Sequence, residues 1–573
     1  MQRKVLSIIL FSLWFTASYG QTKRSHWVDS VFNTLNQESK IGQLFMVPAS
    51  SNASQEEIEE LTDQVKEFRL GGIYITGGSP IRHARLVNKL QINSNVPLLI
   101  GMQAEWGPAQ TLDSLAGFQK PMMASAWKAD SLVTVWGQEI ARQLKMLGVN
   151  INFAPNADDE VSFRDYSRYF SNDEHRVGAK AVIFSKALQA EGILAVAKHL
   201  PRKLPATGSV MDSTMILHLD QIDTAGFLPF EQLIQNNVDG ILTNNLHFSL
   251  QNEKGILPAS MSKVFVPEIL RRKMKFNGLV FSDVINFSNP KNNSGDDELL
   301  AFEAGNDVLL NSGHLRAAIK KITKRIKKDK FLLQQLDASV KKILTAKFNA
   351  GLHQFKPVDT DNLLLRLNSP AIKQIKRRLS EAAVTVVKNE DNFLPIQTLD
   401  NISFLCLSIG SRAENEFSHY LKKYAPFETA SLFGAKDTVG INAQGKIIVI
   451  GISQFAADLE LQLTPWINRI SRKEKVIIVH FGNPASLDNY PYSRATLAAY
   501  SDQDLMRQLI PQVIFGALSA GGVLPMNLEK MQNGKSISTA TTDRFVYTLP
   551  EEAGVDSRAL EKIKSIMKEA IDA

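Results

Sequence analysis

Short apolar runs alternate with amphipathic stretches over about residues 40–312. Each run is followed by turn or polar residues and then usually by a helical pattern. Strands buried on both faces are continuous apolar runs in the sequence, and their alternation with helices predicts parallel pairing. Eight such units predict an α/β fold, a (β/α)₈ TIM barrel, with an open doubly wound sheet as the alternative. The eight runs are Leu44–Val47, Gly72–Ile75, Pro97–Ile100, Val149–Phe153, Ile193–Val196, Gly240–Thr243, Gly278–Phe281 and Val308–Leu310.

A second α/β region follows the barrel pattern, which loosens near Gly351. Apolar runs at Phe404–Leu407, Ile447–Ile450 and Val476–Val479 predict a smaller α/β sandwich domain. From Val555 onward, capping residues followed by apolar positions at helical spacing predict a terminal amphipathic helix.

These patterns divide the chain into five segments. We expect a signal peptide over 1–20, the barrel over 26–350, a linker over 351–380, the sandwich domain over 381–545 and a tail over 546–573.

The first residues have the pattern of a secretory signal peptide. Arg3 and Lys4 precede an apolar run from Val5 to Ala17, and small residues follow it. We therefore predict cleavage after Gly20 and an exported protein, periplasmic or extracellular. No later run reaches the roughly 18 uninterrupted apolar residues of a spanning helix, so the mature chain is predicted to lack a transmembrane segment.

Composition narrows the function classes. Of the 573 residues, 44% are hydrophobic and 21% are charged, which is typical of globular proteins. The single cysteine, Cys406, excludes an intramolecular disulfide framework and cysteine-rich metal sites. A net charge of +7 over this length is too mild for a dedicated nucleic-acid binder. We expect no metal and no cofactor, because the chain has neither a Gly-rich phosphate loop nor a His-Glu-x-x-His pair.

Reacting groups in such a barrel lie just past the carboxyl ends of its strands. Asp283 follows the seventh run and is a candidate nucleophile or base, with helix capping or loop fixing as the alternative. Lys198 and His199 follow the fifth run, where they either bind sugar hydroxyls or form a solvated loop pair. The fourth run leads to acidic residues at 158–160 and to Arg168, which lie over the mouth or on the surface. Together they suggest a pocket for a neutral, hydroxyl-rich molecule.

Four motifs in order make the chain resemble glycoside hydrolase family 3, in its bacterial β-N-acetylhexosaminidase branch. The motifs are GMQAEWG (101–107), GVNINFAP (148–155), AKHLP (197–201) and GLVFSD (278–283). The second region resembles the C-terminal α/β sandwich of that family. The tail resembles the lead-in to a serine β-lactamase-like domain that is fused to some relatives.

The resemblance implies a retaining mechanism. A strand-seven Asp attacks the anomeric carbon, and a His paired with an Asp two residues before it acts as acid and then as base. Asp283 matches the nucleophile, and Asp212 matches the Asp of that Asp-Ser-His dyad. The positions that match substrate-binding residues are Lys198, His199, Arg168 and Gln103.

The chain departs from the family pattern at three matched positions. The dyad here reads Asp-Ser-Thr, so Thr214 replaces the acid/base His, and threonine does not titrate near neutral pH. Gln103 replaces an Asp that holds sugar hydroxyls, and Thr111 replaces an Arg. Loss of a general acid typically lowers the rate by about 10²–10⁴. His218 could replace the missing acid/base histidine if its segment is helical, although its apolar neighbours favour a segment packed in the interior.

Two functions therefore stay open. The first is an exported β-N-acetylhexosaminidase-like glycosidase with impaired catalysis, whose carbohydrate substrates include peptidoglycan fragments. The second is a non-catalytic relative that binds glycan or scaffolds a partner. Neither function involves nucleic acid.

Overall fold

A computed structural model describes residues 22–158, 165–201, 227–245, 257–284, 295–310, 314–529 and 536–572, and the backbone alone at 214–217 and 247–250. The signal-peptide prediction lies outside the described residues. The chain divides into two compact units. The first takes the described residues up to Gly117, Gly137–Asp158 and Ala181–Leu367; the second takes those of Phe118–Trp136, Asp159–Lys180 and Asn368–Ala573.

Strands and helices alternate along most of the described chain. In chain order, the strands are β1 (Phe45–Ser50), β2 (Gly72–Gly77), β3 (Leu99–Met102), β4 (Ile151–Asn152), β5 (Leu194–Leu200), β6 (Thr214–Leu217), β7 (Gly240–Thr243), β8 (His247–Leu250), β9 (Leu257–Pro258), β10 (Leu279–Phe281), β11 (Leu309–Leu310), β12 (Thr385–Asn389), β13 (Ser403–Ile409), β14 (Phe427–Leu432), β15 (Lys446–Ile452), β16 (Lys475–His480) and β17 (Ala495–Ala498). The α-helices are α1 (22–34), α2 (Gln37–Gly42), α3 (Gln55–Phe68), α4 (Pro80–Ile92), α5 (Pro121–Ser125), α6 (Asp130–Met146), α7 (Glu174–Ala190), α8 (Leu228–Gln235), α9 (Asp296–Glu303), α10 (Leu315–Ile326), α11 (Lys330–Asn349), α12 (Leu363–Leu367), α13 (Pro370–Ala383), α14 (Glu416–Lys422), α15 (Ala457–Ser471), α16 (Asp504–Ile514) and α17 (Ser557–Asp572). A π-helix spans Phe265–Lys273.

The first unit is an eight-stranded parallel α/β barrel. Its strands follow the order β10-β7-β5-β4-β3-β2-β1-β11, and every neighbouring pair is parallel. Each of the eight apolar runs contains or overlaps one of these strands, so the predicted fold class is confirmed.

The barrel closes between β10 and β11. An isolated parallel bridge joins Phe281 to Val308. The Ser282 N–H donates to the Val308 carbonyl at 2.9 Å, and the Ser282 hydroxyl accepts from the Leu310 N–H at 3.1 Å. Because these bonds fix the backbone immediately before Asp283, the closing seam also positions the candidate nucleophile.

Aromatic side chains fill the barrel interior. The Phe153 ring makes edge-to-face contacts with Tyr74 at 5.3 Å and with Phe281 at 5.4 Å between centroids. A Cβ atom at Gly101 would lie 2.6 Å from a Phe153 ring carbon, so the strand needs glycine where the ring packs. The interior is therefore a packed core rather than a pore.

The outer helices begin and pack as their sequences predict. Ser54 and Glu57 form a reciprocal capping box at the start of α3. In α10, Ile319, Ile322 and Ile326 are buried on one stripe, which leaves the basic residues of this helix mainly on the other faces.

Three short strands form a small separate sheet in the order β6-β8-β9. Strands β6 and β8 are parallel, with Thr214 in register with His247. The segment that holds Thr214 is thus a strand.

The second unit contains a six-stranded sheet in the order β12-β17-β16-β15-β13-β14. All neighbouring pairs are parallel except the antiparallel edge pair of β12 and β17. The three predicted runs of this region correspond to β13, β15 and β16, which are three of the four interior strands. Their apolar side chains join those of α15 in one buried cluster. This is the smaller α/β domain that the sequence predicted.

The terminal helix α17 is present, as the spacing after Val555 predicted. No helix in the described part of the chain combines the length and the apolar character needed to cross a membrane.

Candidate active site

Asp283 lies at the carboxyl end of β10 and directly follows Ser282, whose hydrogen bonds close the barrel. Its side chain is partly exposed. One oxygen, Oδ1, accepts the Val284 N–H at 2.7 Å, and Oδ2 has no partner among the described residues. An oriented carboxylate with one open oxygen is the arrangement that a nucleophile needs.

The backbone after Asp283 is held by a polar network. Asn245 donates its amide to the Val284 carbonyl at 2.9 Å and accepts the Ser260 hydroxyl at 2.7 Å. The Ser260 carbonyl in turn accepts from the Asn306 amide at 2.7 Å. These bonds fix the direction in which the Asp283 side chain leaves the strand.

Lys198 and Glu105 form a buried ion pair. Lys198 lies near the carboxyl end of β5, and Glu105 lies just after β3. The ammonium Nζ is 2.7 Å from Glu105 Oε1, with both side chains inaccessible to solvent. The Glu105 backbone N–H donates to the Gln110 side chain at 2.6 Å. An ammonium has three donors, so the bond to Glu105 alone does not use all of them.

His199 and Asp158 form a second pair, between β5 and the loop after β4. The ring Nδ1 is 3.0 Å from Asp158 Oδ2, and the His199 backbone N–H donates to Asp158 Oδ1 at 3.3 Å. Asp158 is itself positioned by its own N–H, which donates to Asn156 Oδ1 at 3.0 Å. Both side chains of the pair are partly accessible, 27% for His199 and 15% for Asp158.

Two of the positions at which the chain departs from the family pattern, Gln103 and Thr111, lie in the turn after β3. Gln103 is half-buried, and its carbonyl accepts the Thr111 hydroxyl at 2.7 Å. Thr111 therefore closes the turn. Asn152 of β4 holds the same turn through Ala104, accepting its N–H at 3.0 Å and donating to its carbonyl at 2.9 Å.

The remaining predicted residues are not among the described side chains at the ends of the barrel strands. Arg168 belongs to the second unit, where it ends a short 3₁₀ turn at Tyr166–Arg168. Asp212 and His218 lie outside the described residues. The backbone of Thr214 begins β6.

Glu105 and Asn245 had no role assigned from sequence, and Asp158 was named only as a member of the acidic residues at 158–160. Glu105 and Asp158 each follow a barrel strand by a few residues, which is a signal that a search of strand ends can use. Their pairing partners lie on another strand, so the ion pairs themselves need the structure. Across the described residues, no three His, Cys, Asp or Glu side chains cluster as metal ligands.

The family model described as "Glycosyl hydrolase family 3 N terminal domain" matches residues 36–346, which is more than half of the chain. The chain belongs to glycoside hydrolase family 3. The matched range contains Asp283, Lys198, His199, Glu105 and Asp158, so the paired charges at the strand ends lie within the family's N-terminal domain.

Curated relatives are similar over part of their length. A β-N-acetylglucosaminidase/β-glucosidase of Cellulomonas fimi is 24% identical over 385 residues, which cover 65% of this chain and 68% of that protein. The β-hexosaminidase A of Pseudoalteromonas piscicida is 25% identical over 62% of this chain and 64% of its own length. A secreted glycosyl hydrolase of Arthroderma benhamiae is 25% identical over 54% of this chain and 85% of its own length.

Solved structures share the fold. A β-glucoside phosphorylase has a TM-score of 0.70 at 19% identity, covering 88% of this chain and 96% of that chain. A family 3 β-N-acetylglucosaminidase from Paenibacillus sp. has a TM-score of 0.66 at 20% identity, covering 86% of this chain and 99% of that chain.

Proposed function

We propose that the chain is a retaining β-glycosidase in which Asp283 is the nucleophile. The observation that carries this proposal is the geometry of Asp283 at the barrel mouth. Its Oδ1 is fixed by the Val284 N–H, while Oδ2 is open among the described residues. The carboxylate attacks the anomeric carbon and forms a glycosyl-enzyme, which water then hydrolyses with overall retention.

Two charged pairs at neighbouring strand ends support a carbohydrate substrate. Strand β7 separates β5 from β10 in the barrel, so Lys198, His199 and Asp283 lie along one rim. The Lys198 ammonium is held in position by the Glu105 carboxylate. We propose that Lys198 and His199 bind sugar hydroxyls, with Gln103 at the turn after β3. For Arg168, which belongs to the second unit, a substrate-binding role stays a prediction from the family resemblance.

The relatives suggest which sugar is cleaved. The Cellulomonas fimi protein is a β-N-acetylglucosaminidase/β-glucosidase, and that of Pseudoalteromonas piscicida is a β-hexosaminidase. We therefore propose β-linked N-acetylhexosaminides as substrates. The peptidoglycan source of such sugars stays a prediction, which turnover of isolated muropeptides would test.

We also propose that the protein is exported. The support is the charge and apolar pattern of residues 1–20, together with a relative that is a secreted glycosyl hydrolase. Recovery of the protein in the supernatant of spheroplasts, measured against a cytoplasmic marker, tests this localisation.

The activity is tested with 2,4-dinitrophenyl N-acetyl-β-glucosaminide, because its leaving group departs without help from an acid. The wild-type chain should release dinitrophenol, and Asp283→Asn should abolish release. The matched glucoside tests the choice of sugar. Proton NMR of the first product should show the β-anomer, whereas an α-anomer would contradict a retaining mechanism.

A second candidate is glycan binding without turnover, favoured by Thr214 at the family's acid/base position. It predicts that calorimetry detects N-acetylglucosamine oligomers bound to wild type while the activated substrate stays intact. That pair of results would replace the glycosidase proposal.

A further inference from the structure

The segment 319–330 carries almost all of the excess positive charge of the chain. It covers the last two turns of α10 and the first residue of α11. It contains seven lysines or arginines and a single aspartate, a net charge of +6 against +7 for the whole chain. The rest of the sequence is therefore nearly balanced, and the positive charge is concentrated on one small part of the barrel surface.

Five of these cations have no acidic partner among the described residues. Lys321 pairs with Asp296 at 2.5 Å. Arg325 pairs with Glu303 at 2.6 Å and with Asp329 at 3.1 Å. The five remaining side chains, all exposed, form what we call the lysine surface: Lys320, Lys324, Lys327, Lys328 and Lys330.

The stability of α10 does not account for this number of lysines. Cations in the last turn interact favourably with the helix dipole, which explains one or two of them. Lys320 and Lys324 are four residues apart on the same side of the helix, where like charges repel each other. A surface that keeps several unpaired like charges together is suited to an anionic partner.

A cavity of about 570 Å³ lies beside the lysine surface. Phe331, which is 71% exposed, lines this cavity and directly follows Lys330. The carboxylates of the cavity wall are already paired with cations: Glu303 with Lys263 and Arg325, Asp307 with Arg271, and Asp329 with Arg325. An aromatic ring beside polar groups whose charges are balanced suits an uncharged, hydroxyl-bearing ring such as a sugar.

The lysine surface and its cavity lie away from the candidate nucleophile. Helix α10 follows β11 and returns along the outside of the barrel toward the amino ends of the strands. The cavity wall includes Asp307, which precedes β11, whereas Asp283 follows β10. The cavity is therefore at the amino-terminal end of the barrel, and a ligand there does not compete for the mouth.

We propose that the lysine surface and Phe331 form an accessory binding site for a polyanionic polysaccharide. The lysines contact acidic groups along the polymer, while one sugar ring packs against Phe331. An anionic membrane fits less well, because a helix that lies in a membrane buries a broad apolar face. Here Ile319, Ile322 and Ile326 are buried in the protein, and Phe331 is the exposed large apolar residue of the described segment 315–331.

Binding to alginate, a polymer of uronic acids, tests this inference with the full chain. The test variant combines Lys320→Gln, Lys324→Gln, Lys327→Gln and Lys328→Gln. Biolayer interferometry at low ionic strength should show that its Kd for alginate is about 10- to 100-fold higher than that of wild type. Wild-type binding should also weaken as salt is raised from about 0.01 M to 0.15 M, because the Debye length falls from about 30 Å to 8 Å.

A control variant with the same net charge separates a specific site from general attraction. It combines four substitutions of exposed lysines elsewhere: Lys66→Gln, Lys128→Gln, Lys145→Gln and Lys373→Gln. Its Kd for alginate should stay within about twofold of wild type. Phe331→Ala should weaken binding without changing its dependence on salt. Unchanged thermal midpoints show that the variants are folded.

Two further polymers identify the chemistry that is recognised. Dextran sulfate replaces the carboxylates with sulfates, and neutral dextran should not bind. Equal affinities of the two fourfold variants, failure of wild type to bind either acidic polymer at low salt, or preferential binding to phosphatidylglycerol vesicles would overturn this inference. None of these results depends on catalysis, so an inactive chain would overturn the proposed function and leave the polysaccharide site standing.

Discussion

Lys198 Nζ lies 2.7 Å from Glu105 Oε1, and the two side chains are 0% and 1% exposed. A charge enclosed in this way is stable only with its partner, because removal of one member leaves an uncompensated ion in a low-dielectric site. The pair joins the segment after β3 to the end of β5 and so fixes two sides of the proposed pocket.

Glu105→Gln should therefore lower the free energy of unfolding of the barrel by about 3–5 kcal/mol. Urea unfolding followed by tryptophan fluorescence measures the change. The double variant Glu105→Met with Lys198→Met is the control and should recover much of the loss, since it leaves no unpaired charge. A single variant as stable as wild type would contradict this description of the pair.

Asn245 should affect activity without changing the leaving-group preference. Its bond to the Val284 carbonyl positions the segment that carries Asp283. Loss of one neutral hydrogen bond, worth about 0.5–1.5 kcal/mol, predicts that Asn245→Ala lowers kcat/KM by about 2- to 10-fold for activated and natural substrates alike. Steady-state kinetics on both substrates checks this, and a selective loss on the natural sugar would contradict a positioning role.

Much of the barrel could be predicted because its signal is local. Runs such as Gly240–Thr243 are continuous and apolar, since parallel strands in a barrel are buried on both faces. Strands β12, β14 and β17 of the second unit were not predicted. Strands β12 and β17 are shorter than the three predicted strands, and β14 is an edge strand with a more polar sequence.

The site could be predicted only in part. The position of Asp283, Lys198 and His199 after strands indicated the mouth, because carboxyl ends of parallel strands meet at one rim. The bond between His199 and Asp158 joins two residues 41 positions apart in sequence and depends on the pairing of β4 with β5, which no local pattern gives. Likewise, the sequence does not indicate that Phe118–Trp136 groups with the second unit.

Lys347 makes the stability of the barrel depend on pH. This lysine of α11 is fully buried and donates to Gln43 Oε1 at 2.6 Å. Burial lowers the pKa of Lys347 to about 7 from its usual 10.5. Between these values the unfolded chain binds the proton and the folded one does not, so stability rises with pH across the window.

Lys347 contributes at most about 1.4 kcal/mol per pH unit to the slope of the unfolding free energy against pH. Lys347→Met should remove it from the unfolding free energy measured between about pH 7 and pH 10. Lys341→Met is the control on the same helix, because Lys341 is half-exposed beside Asp29. Equal pH slopes in wild type and Lys347→Met would show that the buried amine is not the cause.

A buried carboxylate stabilises the second unit. Glu460 accepts the Tyr490 hydroxyl at 2.7 Å and lies 3.1 Å from His480 Nε2. Burial alone would raise the pKa of Glu460, but the bonds from His480 and Tyr490 outweigh it and lower that pKa. The Gly482 N–H donates to His480 Nδ1, so the proton of the neutral ring is on Nε2 and is donated to Glu460.

Tyr490→Phe removes one of these bonds to a charged group and should lower the free energy of unfolding by about 1.5–3 kcal/mol. Differential scanning calorimetry should show the shift in the transition of the second unit. Tyr492→Phe, at a position that is 42% exposed, should change stability by less than about 0.5 kcal/mol. A Tyr490→Phe effect no larger than that of the control would contradict the assigned network.

The role of Asp283 as nucleophile is tested by trapping its glycosyl-enzyme. The 5-fluoro derivative of N-acetyl-β-glucosaminyl fluoride slows the second step, so the covalent intermediate accumulates and can be mapped by mass spectrometry after proteolysis. We expect a single adduct on the peptide that contains Asp283, absent from Asp283→Asn. An active chain that yields no adduct, or an adduct on another residue, would contradict this role.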